Sequence, residues 1–98
     1  MKKQVIAVLG LGRFGSTLVE ELSKLDCQVI ALDKSPEQVD RVADFATTAL
    51  VCDSIDQEAL IEAGMKDVDH AVIAFGSDMH DTVLATVILK ELGVPLSR

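Results

Sequence analysis

Residues 5–15, Val-Ile-Ala-Val-Leu-Gly-Leu-Gly-Arg-Phe-Gly, decide how this chain of 98 residues folds. Val5–Leu9 is an apolar, β-branched run. It turns through Gly10, Gly12 and Gly15 into an amphipathic segment that sets Leu18, Val19, Leu22 and Leu25 on one helical face. Strand, Gly-x-Gly-x-x-Gly and helix, in that order, is the arrangement that seats a pyrophosphate. Gly10 permits the tight turn, Gly12 lets a pyrophosphate approach the backbone, and Gly15 lets the helix pack close to the strand. The unpaired N–H groups and positive dipole end of that helix then face the phosphates. Three glycines alone say little. The strand before them, the helix after them and an acid further on give the pattern its meaning.

Outward from the turn, strand one covers 4–9 and helix one 13–25. Strand two, 28–32, ends at Asp33. Ser35-Pro36-Glu37-Gln38 reads as a helix start, with Ser at the N-cap, Pro at the first helical position and Gln closing a capping box. Helix two turns Val39, Val42 and Ala43 inward and ends before Thr47. Strand three, 48–52, stops at Asp53. Helix three, 56–63, carries Leu60 and Ile61 inward and closes on Gly64. Strand four, 70–75, runs into Gly76-Ser77-Asp78, and a long helix over 78–92 stops at Gly93 and Pro95.

Apolar strands alternating with helices predict an α/β fold, a Rossmann-type parallel sheet in the order 3-2-1-4. Ligands bind such a sheet beyond the carboxyl ends of its strands, at the switch between strands one and four. The whole of 1–98 reads as one domain, truncated relative to a full doubly wound fold, which continues with further strands. The expectation is a fragment, or a chain that pairs with a copy of itself. Helix four bears on this. Val83, Leu84, Val87, Ile88 and Leu92 form one stripe, with Ala85, Leu89 and Met79 beside it, where a helix packed on a sheet needs only one. A wide core face is the alternative.

Composition excludes several classes. Three Phe, with no Tyr or Trp, provide no stacking platform for single-stranded nucleic acid, and a net charge of −7 repels its backbone. Cys27 and Cys52 fit no zinc spacing and read as small apolar residues in a reducing compartment. The basic Met1-Lys2-Lys3 precedes a run broken by glycines and charges, so neither a signal peptide nor a membrane span is expected. The expected setting is the cytoplasm, without direct membrane insertion.

Asp33, at the end of strand two, is placed to accept hydrogen bonds from an adenosine ribose and to repel a 2′-phosphate, with Lys34 beside it softening that repulsion. Asp53, at the end of strand three, lies where an adenine ring would sit, followed by Ser54. Either residue can instead cap helix three, since Ser54-x-x-Gln57 spells a second capping box. Arg13 stands inside the glycine turn, where a guanidinium reaches a terminal phosphate or simply meets solvent. Ala74-Phe75-Gly76-Ser77 ends strand four opposite the turn and borders the second half of a ligand, or supplies only a helix cap at Ser77 or Asp78. His70 reads as structural or solvent-facing, while His80 overlooks the site. No nucleophile with a matched base, metal cluster or acid–base pair stands out. The sequence describes a binding site without catalytic machinery.

Gly10-Leu11-Gly12-Arg13-Phe14-Gly15, Asp33-Lys34, Cys52-Asp53-Ser54 with Asp56, and Ala74-Phe75-Gly76-Ser77-Asp78 together resemble the KTN/RCK N-terminal (TrkA-N) domain. Its members are regulatory subunits of Trk/Ktr potassium transporters and gating domains of potassium channels. The resemblance spans residues 4–95, and the Arg-Phe form of the turn is similar to the Ktr-type subunits, whose matching Arg faces the phosphates. It implies ATP, ADP or NAD(H) as ligand, assembly of a homo-oligomer (dimers and rings), and control of a membrane potassium-transporter subunit. It also implies ligand-binding roles for the glycine turn, Arg13, Asp33 and Asp53. Asp78 and Met79-His80-Asp81 depart from the Asn often found early in this helix, and the family's fifth and sixth strands and C-terminal subdomain are not expected within 1–98. The rival reading is the cofactor domain of an NAD-dependent dehydrogenase, whose catalytic residues a second domain would supply.

Overall fold

The computed structural model describes residues 3–75 and 79–97. Its elements run β1 (Gln4–Leu9), α1 (Arg13–Leu22), β2 (Cys27–Asp33), α2 (Pro36–Val42), β3 (Thr48–Val51), α3 (Gln57–Glu62), a 3₁₀ turn (Met65–Asp67), β4 (His70–Ile73), α4 (Met79–Glu91) and β5 (Leu96–Ser97). All strand pairings are parallel, in the order β3-β2-β1-β4-β5. The first four follow the predicted order. The fifth corrects the expectation that no strand follows α4: Leu96–Ser97 pairs with Ala71–Val72, and Ala71 N donates to Pro95 O. Two residues carry no periodicity, so nothing in the sequence announces them.

Strict alternation along the strands builds two cores, one on each face of the sheet. Ala7 and Leu9 of β1 and Leu32 of β2 join Leu60, Met65, Ala71 and Leu89 on the face covered by α3, the 3₁₀ turn and α4. Val8, Val29 and Ala31 join Val19, Val39 and Val42 on the face covered by α1 and α2. A sheet covered on both faces explains the unbroken apolar run of β1.

Several helices are shorter than periodicity suggests. After α1, Lys24 N and Leu25 N bond three residues back, to Glu21 O and Leu22 O, and this tighter winding swings Leu25 into solvent, away from the face it was expected to share. Ala43 lies just past α2 and is exposed, and Ile61 points outward from α3, so neither faces inward as predicted. Neither capping box forms. Ser35 is the N-cap of α2 without a side-chain bond, and α3 is capped by Asp56, whose Oδ1 accepts from Ala59 N at 3.2 Å. The apolar stripe of α4 splits. Ala85 and Leu89 are buried with Ile88 and Leu92 against the core, while Met79, Val83, Leu84 and Val87 are exposed.

Candidate functional site

The register brings the ends of β1, β2, β3 and β4 to one side of the sheet, with Leu9 paired to both Leu32 and Ile73 and Asp33 paired to Val51. Above them lies a cleft of about 800 Å³. Its floor is the glycine turn. Gly10 adopts φ +99°, and a Cβ there would lie 2.7 Å from the Ala74 carbonyl oxygen, so only glycine fits between β1 and β4. A Cβ on Gly15 would land on the Gly10 carbonyl oxygen, which is why the turn and α1 can close so tightly. Gly12 differs. No atom lies within 4 Å of where its Cβ would be, leaving open space above the backbone at the first turn of α1.

Asp33 ties the floor to the neighbouring strand. Its Oδ2 accepts from Leu11 N at 2.7 Å and its Oδ1 accepts from Ser35 N at 2.8 Å. Gly10 N donates to Leu32 O at 2.8 Å in the same corner. Each carboxylate oxygen keeps lone-pair capacity beyond the amide it already holds. The turn is therefore held in shape by the protein itself. With Leu11 N engaged, the N–H groups left for an anion are those of the first turn of α1.

The remaining walls collect the other predicted residues. Arg13, Phe14 and Lys34 line the cleft from exposed positions, and among the described residues neither cation has an ion-pair partner. Asp53 lines it at the end of β3, its Oδ1 accepting from Ile55 N at 3.2 Å in a local turn. Ser54 lines it from a buried position, and Ala74 and Phe75 close the β4 side. Gly15 lies beneath the floor and does not line the cleft. Gly76, Ser77 and Asp78, including the cap reading, fall outside the described residues. His80 does not line the cleft as expected. It is exposed, 3.5 Å from the Asp81 carboxylate, and its neighbours Asp81 and Thr82 face the cleft instead.

Ser35, Gln38, Cys52, Ile55, Ile73, Asp81 and Thr82 also line the cleft and were missed as site residues. Ser35 and Gln38 were legible only as helix-start signals, and Cys52 as an apolar residue and a member of the Cys52-Asp53-Ser54 motif, without a place of its own in the site. Burial pushes the Cys52 thiol above its ordinary value, with the nearby Asp56 and Asp53 carboxylates adding to the shift, so it is an unreactive wall group at neutral pH. No group of three or more His, Cys, Asp and Glu suited to a metal occurs among the described residues. No helix among them is long and apolar enough to cross a membrane.

Comparison with known proteins bears on the cleft. Residues 6–96 match the TrkA-N domain family model. The chain is 40% identical over 94 residues to Ktr system potassium uptake protein C of Bacillus subtilis, covering 96% of this chain and 42% of that protein. It is 33% identical over 95 residues to Ktr system potassium uptake protein A of the same organism, covering 97% of this chain and 43% of that protein. Ktr system potassium uptake protein A of Vibrio alginolyticus is 40% identical over 88 residues, covering 90% of this chain and 40% of that protein. The chain thus spans about two fifths of the length of these relatives.

Proposed function

The chain belongs to the TrkA-N domain family, and on that premise we propose that it is the nucleotide-sensing regulatory domain of a potassium uptake system. The ligand is an adenine nucleotide, ATP/ADP or NAD(H). The observation that carries this reading is the pairing of open space over Gly12 with the fixed Asp33 carboxylate at the end of β2. A pyrophosphate enters over Gly12 and meets the first N–H groups of α1, with no acidic residue in that turn to repel it. Asp33 then takes the ribose hydroxyls, and Arg13 and Lys34 supply charge at the mouth of the cleft. The work is done by binding, and no catalytic step is assigned.

Regulation follows from differential affinity. A ligand shifts an arrangement of domains only to the extent that it binds one arrangement more tightly than another. Arg13, exposed and without an ion-pair partner among the described residues, is the group best placed to feel how many phosphates are present. The partner is a membrane potassium-transporter subunit, reached from the cytoplasmic side, within a longer protein of which this chain is a part. The exposed outer face of α4 serves assembly with a second copy. Calorimetric titration of the 98-residue chain with ADP, ATP and NAD⁺ tests the ligand class. Saturable binding of at least one is expected, and heat-silent titrations with all three, confirmed by unchanged melting temperatures, overturn the reading.

A further inference from the structure

β3 closes one edge of the sheet and pairs with β2 alone. Its outward main-chain groups have no strand to bond, and such an edge is a template for another strand. At four residues β3 is short, yet Thr-Ala-Leu-Val carries neither a charge nor a proline to guard it. Leu50 and Val51 are both exposed, Val51 at 57%. On the α3 side of this edge lies a groove of about 270 Å³. Leu50, Val51 and Cys52 wall it from the sheet, and Ala59, Glu62 and Ala63 wall it from α3 and its cap. Ala59 and Ala63 stand one helical turn apart, and their small side chains leave the groove open. It is smaller than the roughly 300–1,000 Å³ of small-molecule pockets, and it suits a single aliphatic side chain delivered by a strand.

The rim of that groove is acidic. Glu62 lines it, and Glu58 stands one turn earlier on the same side of α3. Both are exposed, and among the described residues neither has an ion-pair partner; Lys66, four residues after Glu62, does not pair with it. We propose that the β3 edge and its groove dock an extended, basic segment of a partner protein, added to the sheet as a further strand beyond β3. The main chain of that segment bonds to the open edge, and one of its aliphatic side chains fills the groove. A Lys or Arg two residues along, on the same face of the added strand, meets Glu62. The acidic rim disfavours a second copy of this chain, which carries a net charge of −7 and brings the same rim to the contact. This surface meets the cleft only at Cys52, which lines both, so the inference stands whether or not a nucleotide binds.

The probe is a dye-labelled peptide with blocked ends, Lys-Thr-Leu-Thr-Lys-Thr, followed by fluorescence anisotropy as the 98-residue chain is added. Saturable binding is expected by millimolar chain, and the same peptide with Glu in place of Lys is expected to bind at least about threefold more weakly. Methylating alternate backbone nitrogens of the peptide is expected to abolish binding for one set and spare it for the other, because only one set faces the edge. Val51→Lys, which guards the edge with a charge, and Glu62→Lys are each expected to lower the affinity by about three- to tenfold. Both positions are exposed, so denaturation midpoints are expected to hold; where one falls, the peptide comparisons decide alone. No saturation at millimolar chain overturns the proposal, as does indifference to both methylation patterns. Equal binding of the Lys and Glu peptides, or unchanged affinity in a folded Glu62→Lys chain, overturns it too. Self-association of the wild type that Val51→Lys dissolves gives the edge to a second copy and refutes the basic partner.

Discussion

Two glycines, Gly10 and Gly12, behave in opposite ways although one residue separates them, and single substitutions distinguish their tasks. At Gly10 a methyl group would meet the Ala74 carbonyl oxygen at 2.7 Å and the residue would be held at φ +99°. Gly10→Ala is expected to cost about 1–3 kcal/mol from backbone strain alone, with a further loss from the clash, read as a lower urea midpoint. At Gly12 a methyl group meets nothing within 4 Å, and φ is −69°. Gly12→Ala is expected to leave stability unchanged or raise it by about 0.4–1 kcal/mol through the unfolded chain, yet to weaken ADP sharply by filling the approach to the backbone. Cys52 gives a prediction in pH. Its folded-state thiol titrates above its ordinary value of 9.0 because it is buried, with Asp56 and Asp53 contributing. The stability it contributes is therefore fully present below that ordinary value and is lost as pH rises through the folded one. Denaturant midpoints measured upward from neutral pH should show this alkaline loss, and Cys52→Ala should reduce it. At this scale the glycines and Asp33 were legible because their chemistry is bound to a motif. Asp81, Thr82 and Gln38 were not, because only the folded chain brings them to the cleft.

At the scale of elements, the caps and α4 carry the lessons. Ser35-x-x-Gln38 and Ser54-x-x-Gln57 both satisfy a capping rule on paper, yet neither serine caps its helix with its side chain. Ser35 N is taken by Asp33, Gln38 faces the cleft, and Asp56 caps α3. Local rules fix where a helix starts to within a residue or two, and competing side-chain bonds from Asp33 and Asp56, two and three residues from their amides, decide which side chain does the capping. In α4 apolar residues surround the helix, so periodicity cannot say which seam meets the sheet. The structure gives that place to Ala85 and Leu89 and leaves Val83 and Val87 about half exposed, at 54% and 49%. If the outer face joins two copies, Val83→Glu with Val87→Glu should convert a self-associating chain to a monomer in light scattering. Because both positions are exposed, the fold itself should change by no more than about 0.5 kcal/mol for each substitution, as read by denaturation of the monomer. A wild-type chain that stays monomeric at high concentration refutes this use of the face.

At the scale of the molecule, the order of the first four strands was legible because β-α alternation and connection rules leave few parallel topologies open. The fifth strand was not, since its two residues gain their identity only from β4. The same sheet divides the interior into two apolar layers that meet only through its backbone. Val19→Ala on one side and Leu60→Val on the other, each costing roughly 1–2 kcal/mol, should therefore add within about 0.5 kcal/mol in the double variant. Leu60→Val combined with Leu89→Ala, within one layer, should depart from additivity. The Asp33 link between the glycine turn and the start of α2 has a consequence of its own. On the proposed reading, a seat already braced before its nucleotide arrives spends little of the binding free energy on reshaping itself, and a difference between nucleotides would be passed on at the rim, through the amino end of α1 or the lip formed by α4.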